Sequence, residues 1–161
     1  MIRFEQKICP PEALSERVAA LPRPLVMTNG VFDLLHRGHV SYLAQARELG
    51  ASLLVAVNTD ASARRLRKGP GRPMNTCEDR MAMLAALEST SLITCFHEDT
   101  AERVLEQARP DFYVKGGDYR IQLTNEGRLA RQLGAQALSL DVVHARSTSA
   151  IIHRIRSVYL R

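Results

Sequence analysis

Apolar positions recur along this chain with two periods that alternate. Short runs at 25–28, 52–57, 92–96, 112–115 and 137–140 are apolar almost throughout and hold many β-branched residues, which predicts five strands covered on both faces. Between them the spacing becomes helical. Ala101, Val104, Leu105 and Ala108 recur at i, i+3, i+4 and i+7 before Pro110, behind a capping pattern of Asp99 and Glu102. Thr76 with Asp79 opens a helix carrying Met81, Leu84 and Ala85. Val40, Leu43 and Ala44 share one face of a helix that Gly50 ends, and Leu129, Ala130 and Leu133 precede Gly134 in the same way. Ile151, Ile152, Ile155 and Val158 form the apolar stripe of a last helix. Residues 1–24, with Pro10, Pro11, Pro22 and Pro24, predict one short helix on the periphery. The expected fold class is therefore α/β: a doubly wound sheet of about five mainly parallel strands flanked by helices. Such sheets bind ligands beyond the carboxyl ends of their strands, where the strand order reverses, so the residues after each strand are the place to look for chemistry.

Composition narrows this picture. A chain of 161 residues, 45% hydrophobic and 24% charged, fits a single domain over 1–161 whose core needs no disulfide or metal. No run approaches the ~18 to 20 apolar residues that cross a bilayer, and the N-terminus lacks the basic-then-apolar order of a signal peptide. A cytoplasmic protein without a membrane partner is expected. Cys9, Cys77 and Cys95 are odd in number and far apart in sequence, and read as ordinary reduced thiols. The net charge of +5 becomes informative once located. Arg64, Arg65, Arg67, Lys68 and Arg72 lie in a stretch, 61–77, that contains no acid, and without those five the chain holds 17 basic and 17 acidic residues. One short segment carries the whole excess.

Directly after the first predicted strand runs Thr28-Asn29-Gly30-Val31-Phe32-Asp33-Leu34-Leu35-His36-Arg37-Gly38-His39. Gly30 permits a tight exit from the strand, and Gly38 lets a ligand or backbone come close at the start of the next helix. The free N–H groups and positive dipole end of that helix favour a phosphate. His36 and His39, three apart, can both donate to it, in either charge state. A metal-ligand pair and a structural helix cap are the competing readings, while neither the Gly-x-Gly-x-x-Gly nor the Gly-x4-Gly-Lys-Ser/Thr fingerprint is present. The basic segment, broken by Gly69, Pro70, Gly71 and Pro73, is suited to closing over a polyphosphate, with Lys68 and Arg72 the best placed; a solvated basic surface is the alternative. Arg80 falls in the first turn of a helix, a poor place for a cation unless an anion sits beside it. Lys115-Gly116-Gly117-Asp118 leaves the fourth strand with two glycines, as a ligand contact or as a plain turn. Ser147, Thr148 and Ser149, after Arg146, supply more hydroxyls than one helix cap needs. His97, His144 and His153 have no comparable context and receive no role.

The long form of the His-x-Gly-His segment resembles the signature of the cytidylyltransferase-like nucleotidyltransferases. The likeness continues over roughly 24–157 through 55–60, 68–75, Arg80, 84–87, 114–119 and 147–152, where the chain resembles the D-glycero-β-D-manno-heptose 1-phosphate adenylyltransferases in their stand-alone form, without a fused sugar kinase. The resemblance implies a Rossmann-like nucleotidyltransferase fold and adenylyl transfer from ATP to a heptose 1-phosphate, for the lipopolysaccharide core. It implies His36, His39, Lys68 and Arg80 as catalytic residues, and nucleotide contacts from Asn29, Gly30, Phe32, Asp33, Gly38, Arg72, Lys115, Gly117, Asp118, Ser147, Thr148 and Ser149. It further implies Mg²⁺ carried mainly by ATP oxygens, no metal held by the protein, and a homo-oligomer, a dimer or higher. A related enzyme acting on another acceptor, such as glycerol phosphate or phosphopantetheine, remains the near alternative. A nucleic-acid-binding module is the distant one: there are only eight aromatics, and the charge is confined to one loop.

Overall fold

Each apolar run becomes a strand, within two residues of the expected bounds. A computed structural model describes residues 2–67, 69–117, 120–141, 143, 144 and 146–159. In it β1 is Leu25–Gly30, β2 Ser52–Asn58, β3 Leu92–Phe96, β4 Phe112–Gly116 and β5 Gln136–Leu140. All pairings are parallel and the order is β3-β2-β1-β4-β5. The chain thus winds outward from β1 to β3, returns to the other side of β1, and continues to β5, which places the reversal of strand order between β1 and β4. The helices are α1 (Leu14–Ala19), α2 (Arg37–Glu48), α3 (Asp60–Arg65), α4 (Cys77–Ala85), α5 (Glu102–Ala108), α6 (Asn125–Gln132) and α7 (Thr148–Tyr159).

Alternate residues of the central strands enter two cores, because side chains on a strand point to opposite faces. Leu25, Met27, Leu54 and Ala56 join Leu14, Val104, Leu105 and Ala130 on one side. Val26, Leu53, Val55 and Val57 join Leu43, Ala46 and Leu84 on the other. Truncating a fully buried leucine such as Leu54 in such a sandwich costs about 2–5 kcal/mol.

Several local expectations are corrected. Thr76 does cap α4, accepting from Asp79 N at 3.2 Å. Asp99 caps nothing: its carboxylate pairs with Arg65, and α5 begins after Ala101 without a side-chain cap. On α2 the buried stripe runs through Tyr42, Leu43 and Ala46, leaving Val40 exposed. Gly134 ends α6 with φ +93°, as expected, but Gly50 is required for space, since a Cβ there would lie 2.4 Å from the Pro24 carbonyl oxygen. Residues 1–24 are not merely peripheral. Cys9, Leu14 and Val18 are buried in the core, and Ile8 bridges to Ile93 beside β3. In α7 only Thr148 is buried; Ile151 and Ile152 are half-buried, and Ile155 and Val158 are exposed, because the helix leaves the sheet beyond its first turn. The thiols of Cys77 and Cys95, 18 positions apart in sequence, meet in space. The hydrogen bond from Cys77 lowers the Cys95 thiol to about 7 and raises its own.

Candidate active site

The central opening follows from how β1 and β4 part. β1 pairs with β2 along six residues but with β4 only through Val26–Phe112 and Met27–Tyr113. Beyond that point side chains satisfy the carbonyls that a strand partner would otherwise take. Tyr42 OH donates to Val114 O at 3.0 Å and meets Thr28 Oγ1 at 2.7 Å; Lys115 Nζ donates to Asn29 O at 2.9 Å; Tyr113 OH donates to Asn29 Oδ1 at 2.7 Å. Burial raises the Tyr42 phenol, so it stays a neutral donor. The result is a cleft of about 420 Å³ at the carboxyl ends of β1 and β4, closed on its far side by the start of α7. Both strands end beside it, as the reversal of strand order requires.

The histidine pair stands at the mouth of α2. His36 is its N-cap residue, and its Nδ1 accepts from His39 N at 3.4 Å, so the proton of the neutral ring belongs on Nε2. The two rings stack with centroids 3.8 Å apart and planes 18° apart. Burial lowers the His36 pKa, favouring the neutral form. Phe32 meets the His39 ring edge to face at 5.4 Å. It does so from a left-handed backbone, φ +47°, a strained geometry for an aromatic residue that clusters at functional sites. Gly30 therefore serves differently than expected: the turn is made at Phe32, and a Cβ on Gly30 would press on the Phe32 ring at 3.1 Å. Gly38 has the expected role of close approach, a Cβ there lying 2.9 Å from His144 O and 3.0 Å from the His36 ring.

The structure brings Asn29, Gly30, Phe32, His36, Gly38, His39, Arg72, Lys115, Ser147, Thr148 and Ser149 to this cleft. Ser147 Oγ accepts from Ala150 N at 3.1 Å, and Thr148 donates to Leu34 O at 3.3 Å. These bonds fix the start of α7 beside the histidines. Lys68 and Asp118 lie outside the described residues.

Three expected site residues are placed elsewhere. Arg80 is fully buried, and its guanidinium is committed to Asn75 O (3.1 Å), Val31 O (2.7 Å), Asn58 O (2.8 Å) and Asp60 Oδ1 (2.7 Å). The cation in the first turn of α4 thus answers to protein acceptors rather than to a phosphate, tying the ends of β1 and β2 to the α4 entry. Asp33 is equally committed. It accepts from Arg72 Nε at 2.6 Å, Met74 N at 2.7 Å and Asn75 N at 3.1 Å, with its side chain 1% exposed. Its role is to hold the basic loop, and through it Arg72, over the cleft. Gly117 gives its amide to Leu140 O, and Gly116 takes the place beside the cleft, where any Cβ would strike the Tyr42 ring at 3.1 Å. Tyr42 was not singled out from sequence, although it lies one turn beyond His39 on the same face of α2; of the two glycines that leave the fourth strand, the resemblance pointed to Gly117 rather than Gly116.

The cleft is lined by imidazoles, cations, hydroxyls and backbone at a helix start, a set suited to phosphate oxygens. Among the described residues no group of three His, Cys, Asp or Glu side chains is arranged to hold a metal, and no helix is long and apolar enough to cross a membrane.

Comparison with known proteins agrees with this geometry. The model of the cytidylyltransferase-like family matches residues 27–156. A D-beta-D-heptose 1-phosphate adenylyltransferase of Bordetella bronchiseptica is 53% identical over 156 residues, 96% of each chain. The bifunctional protein HldE of Azotobacter vinelandii is 52% identical over 132 residues, 82% of this chain but 28% of that longer protein. Among solved structures, the lipopolysaccharide core biosynthesis protein of Thermoplasma volcanium superposes with a TM-score of 0.61 at 28% identity, covering 76% of this chain and 98% of that one. Pantothenate synthetase of Thermus thermophilus, at 18% identity and a TM-score of 0.55 over 84% of this chain and 61% of that one, shares the fold. The chain belongs to the cytidylyltransferase-like family, in the branch of the heptose 1-phosphate adenylyltransferases.

Proposed function

We propose that this protein transfers the adenylyl group of ATP to D-glycero-β-D-manno-heptose 1-phosphate, giving ADP-heptose and pyrophosphate for the lipopolysaccharide core. The observation that carries this reading is the stacked His36–His39 pair at the start of α2, facing a cationic, hydroxyl-lined cleft at the strand-order reversal. An oxygen of the sugar phosphate attacks the α-phosphorus, and the bond from that phosphorus to the α–β bridging oxygen breaks, its electron pair leaving with pyrophosphate. The nucleophile is already an anion, so the protein needs no strong base; it must align two polyanions and absorb developing charge. His36, donating from Nε2, and His39 hold the α-phosphate region and the bridging oxygen. Arg72, Lys115 and the hydroxyls of Ser147 and Ser149 hold the remaining phosphate oxygens, while Thr148, whose hydroxyl proton goes to Leu34 O, anchors the start of α7. MgATP enters as substrate with the ion on its own phosphates.

Removal of one well-placed donor to developing charge costs about 10²–10³ in rate. Pyrophosphate release from ATP and the heptose phosphate should fall by that factor in His39→Ala with its melting curve unchanged; full turnover in that folded variant would contradict the assignment. A cytoplasmic location and a homo-oligomer of two or more copies belong to the same reading, the latter measured by sedimentation velocity.

A further inference from the structure

A second cleft, about 360 Å³, lies between the loop at Gly69–Arg72 and the outer face of α7. It shares Arg72 and Ser149 with the central cleft, so the two lie side by side at the first turn of α7. Ser149, His153 and Arg156 follow at spacings of four and three, which places them in one row along the helix. Arg72 faces that row from the loop, giving only its Nε to Asp33. Among the described residues no carboxylate lines this cleft, and neither His153 nor Arg156 forms an ion pair. His153 and Arg156, neither of them ion-paired, and Arg72, held through its Nε by the Asp33 carboxylate, therefore line one open space beside the reaction cleft.

We infer that this second cleft is an anion subsite for the phosphate group of a bound substrate or product, occupied by the distal end of the ATP triphosphate and then by departing pyrophosphate, with His153 and Arg156 as its contacts. The inference rests on the proposed adenylyl transfer. Pyrophosphate carries several negative charges and must leave a cleft built to attract them. A row of donors leading outward along α7 lets each phosphate exchange one cationic partner for the next. The other source of the same chemistry is the phosphate of the sugar acceptor.

The test compares wild type with Arg156→Ala, His153→Ala and the double variant. Both side chains are exposed, so the folded state is expected to persist. Binding of inorganic pyrophosphate, measured by calorimetry without acceptor or turnover, should weaken about tenfold in Arg156→Ala and further in the double variant, as expected for lost charge-assisted bonds. The KM for ATP should rise in step while the KM for the sugar phosphate and the affinity for AMP stay unchanged. A rise in acceptor KM with ATP KM and pyrophosphate binding unmoved would assign the cleft to the acceptor and overturn the pyrophosphate assignment. Unchanged constants throughout, or wild-type protein that does not bind pyrophosphate, would overturn the subsite altogether. Variant-sensitive pyrophosphate binding in a protein that does not turn over the heptose phosphate would keep the subsite and refute the proposed acceptor.

Discussion

Asp33→Asn isolates the link between the basic loop and the cleft. The Asp33 carboxylate accepts one charged and two backbone hydrogen bonds, at 2.6, 2.7 and 3.1 Å, with its side chain 1% and that of Arg72 11% exposed. Asparagine keeps the shape but offers one acceptor oxygen. Its amide must then oppose either the Arg72 Nε–H or the two backbone amides, donor against donor. Breaking a buried pair from one side costs about 3–5 kcal/mol; with Arg72 keeping some contact with water, the lower end, about 3 kcal/mol, applies. At about 2–4 °C per kcal/mol for a chain of this size, the melting temperature should fall by about 6–12 °C. Below the transition, the freed Arg72 should raise the KM for ATP about tenfold, equivalent to about 1.4 kcal/mol. Because Asp33 acts through Arg72, Arg72→Ala and the double variant should show the same KM as each other, a non-additivity that independent sites do not produce. A thermal melt with initial-rate pyrophosphate release across ATP concentrations reads both quantities. An unchanged melt, or an ATP KM equal to wild type in Asp33→Asn, would refute the anchoring role.

Arg80→Ala strips four acceptors of their donor, so denaturant titration should show a loss of about 3–5 kcal/mol. Arg80→Lys should recover little, since an ammonium cannot span that fork; a stable Arg80→Ala protein impaired only in turnover would restore the phosphate contact. For His36, burial lowers the folded pKa below the unfolded value near 6.5. The unfolded chain then binds the extra proton first, so this contribution to stability is constant above about pH 6.5 and falls with pH through the window down to the lowered folded value. In a His36→Asn variant, which keeps an N-cap acceptor, melts between pH 5 and 8 should lose that slope while the rest of the pH profile stays.

The sheet was legible in sequence because a strand buried on both faces must be apolar throughout, and such runs at 52–57 and 92–96 admit few other readings. The histidine turn was legible because a phosphate at a helix start calls for close-set donors and a small residue, all within a few positions. What escaped sequence depends on distant partners. The four acceptors of Arg80 come from residues 31, 58, 60 and 75, which assemble only when β1, β2 and α4 pack together. Asp33 looked like a ligand contact because it sits in the motif, yet its partners lie about 40 positions on. The α7 stripe was apolar at helical spacing, but spacing does not reveal whether a surface exists for it to cover. His153 had no neighbours in sequence to mark it; its neighbours are Arg72 across a cleft and Arg156 one turn along the helix.

Base and acceptor choice is where the account is most exposed. The decisive measurement is pyrophosphate release across a panel of nucleoside triphosphates and phosphorylated acceptors that includes D-glycero-β-D-manno-heptose 1-phosphate, glycerol 3-phosphate and phosphopantetheine. The account predicts turnover with ATP and the heptose 1-phosphate, at a kcat/KM well above every other pair. Preferred turnover with CTP or with either of the other acceptors would contradict it, as would salt-sensitive nucleic-acid binding with no ATP-dependent turnover at all.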